Sequence, residues 1–238
     1  MNIEKYFNLE KNTLSFSREQ ASSFAKFVAG DFNPIHDVDA KKFCVPGDLL
    51  FAVSVAHFGA SQNMRFNFES MVSEKTQIGL SAADTKKISL IDQNDKPIMS
   101  IDCSGEHTSD KVFLSGLIEK YVQFSGKTFP DILMDLMQKK GVMINPARPL
   151  IIYRDMAVHI DEFPKGELTL EFAGATLTAE GKKGDVKLEF DVSVDGKHIG
   201  HGTKSMVIAG LRPYDAVAAE KIIADYNETK QAGLDSQS

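Results

Sequence analysis

Three side chains able to hold a water or move a proton fall within six residues: Asp31, Asn33 and His36, in the run Gly30-Asp31-Phe32-Asn33-Pro34-Ile35-His36. A carboxylate and an imidazole with one basic nitrogen can share a water, remove its proton and return a proton elsewhere. The residue types therefore suit addition or removal of water. Pro34 biases Asn33 out of the helical region, so the three cannot share a helical face, but a fixed bend can aim the acid and the imidazole at one point. The same run is also ordinary turn chemistry, in which Asp and Asn side chains bond nearby backbone amides. The sequence leaves both readings open.

The elements that must position this run are legible on either side of it. Ser17-Arg18-Glu19-Gln20 has the form of a capping box, and Ala21, Phe24, Phe27 and Val28 recur at helical spacing up to Gly30. A second helix is expected from about Asp48 through Leu49, Leu50, Val53, Ala56 and Ala60, and its lack of polar residues predicts near-complete burial. Strands are expected at 65–68, 75–82, 86–92 and 98–106, with Asp92 to Lys96 as a tight turn.

The second half repeats the plan. Helices are expected at 114–124 and 129–140, strands at 151–160, 167–179, 185–194 and 198–211, and a final amphipathic helix at 214–230. Two units, 1–110 and 111–238, each a helix pair followed by an antiparallel sheet, suggest an internal duplication and an α+β fold. In that register the Gly30–Pro34 interval matches Gly126–Pro130, Asp31 falls opposite Lys127, and His36 opposite Ile132. The second copy keeps the bend and lacks the ionisable pair.

Other candidates are weaker. His57 lies in the second expected helix beside Phe58 and reads as a packed core residue, with a direct substrate-binding role as the alternative because that helix borders the proposed pocket. His198 and His201 fall on opposite faces of a regular strand, and no third ligand is nominated, so no metal site is expected. Gly200 and Gly202 mark either a bulge or crowding near a ligand. Lys182-Lys183 would suit coenzyme A phosphates, and equally a solvated hairpin turn.

The 238 residues are 42% hydrophobic and 25% charged, an ordinary globular composition able to bury a core. A formal net charge of -6 and no dense basic stripe argue against nucleic acid as a partner. Cys44 and Cys103 are not paired in a zinc or redox motif and suit free thiols in a reducing compartment. Neither a signal peptide nor an apolar run long enough for a membrane span is found, so a cytoplasmic location is expected.

The stretch Phe27-Val28-Ala29-Gly30-Asp31-Phe32-Asn33-Pro34-Ile35-His36 resembles the signature of the MaoC-like dehydratases, the R-specific enoyl-CoA hydratases. The resemblance implies a hotdog fold, a helix wrapped by an antiparallel sheet, here as a tandem (double) hotdog. It implies that Asp31 and His36 activate the water added to a 2-enoyl thioester of coenzyme A or acyl carrier protein, and that one of them protonates the alpha carbon. Asn33 would hold the bend or orient its neighbours. The family's backbone donor to the thioester carbonyl maps to Gly47, at the start of the central helix, where it would stabilise a developing enolate. No metal or redox cofactor is implied. The chain departs from the family where Pro46 replaces a His and where the stretch before Gly47 is shorter; Asp48 would oppose negative charge if it points inward. Within the same fold, a non-catalytic acyl-thioester binding protein and an acyl-CoA thioesterase are the alternatives. Homodimer formation is left open, since a fused pair of units could already satisfy the usual dimer.

Overall fold

The computed structural model describes residues 1–84, 86–146 and 149–235. Its first elements are a short hairpin, β1 (Asn8–Glu10) and β2 (Thr13–Ser15), turned by Lys11 and Asn12 at φ 46° and 66°. This hairpin escapes periodicity analysis because each strand is only three residues long. Helix α1 (Arg18–Phe24) opens on the expected capping box: the Ser17 side chain accepts from Gln20 N, and the Gln20 side chain accepts from Ser17 N. A π-helical turn, Ala25–Ala29, extends it and stops at Gly30, whose φ of 73° turns the chain out of the helix.

Helix α2 (Gly47–Phe58) is buried from Asp48 to Val55, as its apolar sequence requires, and leads through Gly59 into β3 (Ala60–Phe68). The strands β4 (Ile78–Asp84), β5 (Lys87–Asp92) and β6 (Pro97–Thr108) complete the first meander. Helix α3 (Lys111–Gly126) follows, capped by Asp110 Oδ1, which accepts from Val112 N and Phe113 N. The single helix expected over 129–140 is instead broken. Phe129 is extended (φ -118°, ψ 133°) before Pro130, so a π-helical turn, Thr128–Ile132, precedes the shorter α4 (Leu133–Lys139).

The second meander comprises β8 (Leu150–Ile160), β9 (Leu168–Glu180), β10 (Lys183–Val194) and β11 (Lys197–Ala209). A two-stranded ribbon joins β7 (Val142–Met143) to β12 (Arg212–Pro213), and α5 (Ala216–Asp235) ends the described chain.

The two antiparallel sheets expected, one in each half, are joined into one. One continuous ten-stranded sheet runs β1-β2-β4-β5-β6-β3-β8-β11-β10-β9, and each of its recorded pairings is antiparallel. The join is β3 against β8, from Asn63↔His159 to Asn67↔Asp155. Outward from it, the order β3-β6-β5-β4 on one side is mirrored by β8-β11-β10-β9 on the other. Pairing β3 with β8 satisfies two sheet edges that separate units would leave open. The helices share one apolar core with both halves, which includes Leu49 and Phe51 of α2, Tyr121 and Val122 of α3, and Leu188 and Phe190 of β10. The architecture is α+β, helices wrapped by a sheet.

Three glycines expose the packing. A Cβ on Gly200 would meet the His159 carbonyl and one on Gly202 the Phe190 ring, so both glycines serve backbone approach and core packing rather than a ligand. A Cβ on Gly126 would fall onto the Ala29 carbonyl oxygen, beside Gly30. Gly126→Ala is therefore expected to force apart the ends of the π-turn and α3, costing about 1–3 kcal/mol in denaturant unfolding. An unchanged unfolding midpoint would show that this contact yields freely.

Candidate functional site

The Gly30–His36 bend is built from its own side chains. Asp31 Oδ1 accepts from Asn33 N at 2.9 Å, and Asn33 Oδ1 accepts from Ile35 N at 3.2 Å, capping a 3-10 turn over Pro34–His36. Turn chemistry and convergence of the acid with the imidazole thus coexist. Asp31 spends one carboxylate oxygen on the turn, while Oδ2 lies 3.7 Å from His36 Nε2. His36 is buried, and its Nδ1 donates to the Cys44 carbonyl at 2.7 Å. That bond fixes the tautomer when the ring is neutral: the proton sits on Nδ1, and the basic lone pair of Nε2 faces Asp31.

Both side chains line a cavity of about 410 Å³. Gly47 lies on its wall at the start of α2, and Leu50, Phe68, Phe129, Ile151 and Met206 make much of the rest apolar. This size and character suit a small organic ligand with an apolar part. Gly47 is held closely, since a Cβ there would sit 3.0 Å from Tyr153 Cδ2 and 3.3 Å from Phe68 Cε1.

Helix α5 closes one side through Ile222, Asp225, Tyr226 and Thr229. The Tyr226 hydroxyl accepts from Phe32 N at 3.1 Å and donates to the Gly30 carbonyl at 3.4 Å, tying the helix to the bend. Burial pushes its pKa up to about 12, so it remains a donor at neutral pH. Tyr226→Phe leaves the buried Phe32 amide without its acceptor and is expected to cost about 1–3 kcal/mol. Hydrogen exchange at Phe32 checks this, and equal protection in the variant would contradict it.

Asp48 does point inward, but it is not an isolated charge. Ser125 Oγ donates to Asp48 Oδ2 at 2.5 Å, and Lys204 Nζ lies 3.5 Å from Asp48 Oδ1. Lys204 also donates to Ser125 Oγ and sits 3.5 Å from the centroid of the Tyr153 ring. The Lys204 cation offsets the carboxylate, which lessens the opposition to a developing anion expected from Asp48. Lys204 and Ser125 escaped sequence reasoning. A lysine within a strand reads as solvent-facing, and the one available signal, its place in the segment Lys204-Ser205-Met206-Val207-Ile208, is weak.

The remaining candidates are not brought to this cavity. His57 is exposed, correcting the expected core position: it lies near the outer end of α2, edge-on to Phe58 with ring centroids 4.6 Å apart. Lys183 pairs with Asp185 at 3.1 Å, and neither it nor Lys182 is among the lining residues. His198 and His201 do not fall on opposite faces. The register shifts at Val192/Ser193 and leaves the buried Ile199 as an extra residue, so both histidines are exposed. Among the described residues, no group of three or more His, Cys, Asp or Glu is arranged to hold a metal ion, and no helix is long and apolar enough to cross a membrane.

A family profile described as "Protein of unknown function (DUF3581)" matches residues 1–217. No curated protein matches the sequence significantly. Among solved structures, the chain is similar to the acyl-CoA thioesterase II TesB2 from Mycobacterium marinum, with 10% identity, 91% of this chain and 99% of that one covered, and a TM-score of 0.47. A MaoC-like dehydratase has 10% identity, coverage of 84% and 97%, and a TM-score of 0.43. A conserved protein of unknown function with a hot dog fold from Alicyclobacillus acidocaldarius has 10% identity, coverage of 90% and 99%, and a TM-score of 0.49.

Proposed function

The chain belongs to the DUF3581 family, and we propose that it hydrates a 2-enoyl thioester, or dehydrates the 3-hydroxyacyl thioester, in the cavity beside the Gly30–His36 bend. The carrying observation is the bond from His36 Nδ1 to the Cys44 carbonyl, which turns a basic Nε2 toward the free Oδ2 of Asp31. A water between them donates one hydrogen to Nε2 and the other to Oδ2. His36 removes a proton as the water oxygen bonds to C3, and the pair returns a proton to C2. Gly47 N–H, at the open end of α2, takes the thioester carbonyl oxygen as enolate charge develops. Asn33 holds the bend.

Sequence resemblance and site geometry support this reading together. The mirrored strand order supports a tandem hotdog divided near residue 110, with the catalytic pair in the first unit only. Free Cys44 and Cys103 support a reducing, cytoplasmic setting. The apolar wall accepts the acyl chain, whether carried by coenzyme A or acyl carrier protein, and the chain acts alone or as a homodimer. Loss of the conjugated-enoyl absorbance of crotonyl-CoA and longer 2-enoyl-CoA substrates, followed by identification of the 3-hydroxyacyl product, tests the reaction. Binding without turnover at every chain length would reduce the protein to an acyl-thioester binder.

A further inference from the structure

The hydration chemistry leaves a second polar group on the same cavity unused. Ser125, in the last turn of α3, lines the cavity while its Oγ contacts both Asp48 and Lys204. Lys204 is 1% exposed and caged by the rings of Tyr153 and Tyr121, at 3.5 and 5.8 Å from their centroids. An ammonium so placed gives up its hydration, and desolvation lowers the Lys204 pKa against the opposing pull of Asp48 and Asp31. An amine made more available as a base, touching a hydroxyl on a cavity wall, is an arrangement that activates a nucleophile. Thr128 also lines the cavity, and its buried hydroxyl has no hydrogen-bond partner among the described residues, leaving a donor for a ligand.

We propose that Ser125 is an acyl-accepting nucleophile and Lys204 its base, giving the cavity a thioester-cleaving activity distinct from hydration. Ser125 Oγ bonds to the thioester carbonyl carbon while its proton passes to Lys204 Nζ, which acts from the neutral fraction of an amine that otherwise rests as an ammonium beside Asp48. Asp48 stabilises the ammonium that forms. Thr128 and the Gly47 amide donate to the carbonyl oxygen. The C–S bond then breaks, the thiolate leaves with the Lys204 proton, and Ser125 holds the acyl group as an ester. Water attacks that ester, releasing the carboxylic acid and restoring the hydroxyl. The proposal shares with the hydration reading only the occupation of the cavity by an acyl thioester.

Butyryl-CoA lacks the double bond needed for hydration, so it isolates this step. The full chain mixed with saturating butyryl-CoA and rapidly quenched in acid is expected to release coenzyme A thiol and carry one butyryl group on the peptide containing Ser125. Ser125→Ala, which leaves Lys204 and Asp48 facing each other, is expected to lose both signals. Ser125→Cys is expected to carry the group as a hydroxylamine-labile thioester. No adduct, an adduct on another residue, or wild-type thiol release in Ser125→Ala overturns the proposal. Hydration of crotonyl-CoA by a protein that is never acylated would sink this inference alone, and acylation without hydration would sink the hydratase reading alone.

Discussion

His36→Ala is expected to lower hydration of a 2-enoyl-CoA by about 10²–10⁴-fold, the range supplied by one positioned general base. The variant removes the basic Nε2 and also the donor to the Cys44 carbonyl, so its effect mixes chemistry with support of the loop. Asp31→Asn separates the two. Its amide oxygen can still accept from Asn33 N, preserving the turn, while an NH₂ replaces the free Oδ2 and donates toward Nε2. That donation blocks the lone pair needed to deprotonate water. Asp31→Asn is therefore expected to unfold near the wild-type midpoint and yet lose a comparable share of its rate. Both variants retaining the wild-type rate would dismiss the pair as catalytic and return the bend to a purely structural role.

A second large effect is expected in stability. Lys204→Met removes a cation that is 1% exposed and leaves Asp48, 2% exposed, with hydroxyl partners alone among the described residues for a full negative charge. Breaking a buried ion pair from one side costs about 3–5 kcal/mol, because the surviving charge loses its counter-charge without regaining water. The double variant Asp48→Asn/Lys204→Met removes both charges while keeping an acceptor for Ser125. It is expected to recover much of the loss. Urea unfolding of the three proteins at matched slopes measures the cycle. A single variant within about 1 kcal/mol of wild type would mean that Asp48 does not depend on Lys204.

Local signals marked most of the elements, since capping residues, apolar period and turn glycines act within a few positions of themselves. Ser17 and Gln20 made their capping box, and Gly30 ended the helical stretch with a positive φ. Departures arose where one residue altered register or rotation: Pro130 split the helix expected over 129–140, and a bulge beside Ile199 brought His198 and His201 to the same exposed side. His57 was misplaced because a helix apolar on every side does not reveal from its pattern where its end emerges.

The sequence by itself determined the Asp31-Asn33-His36 bend, because Pro34 and two short polar side chains fix it through bonds spanning two residues. Tertiary structure alone decided what that bend faces. The partners of Asp48 are 77, 105 and 156 residues away, the Phe32 amide is held from residue 226, and β3 meets β8 across the middle of one sheet. A lysine in a strand carries no local mark of burial. It becomes a core cation only when a helix start, a helix end and two tyrosines close around it, and that closure depends on contacts no short window of sequence contains.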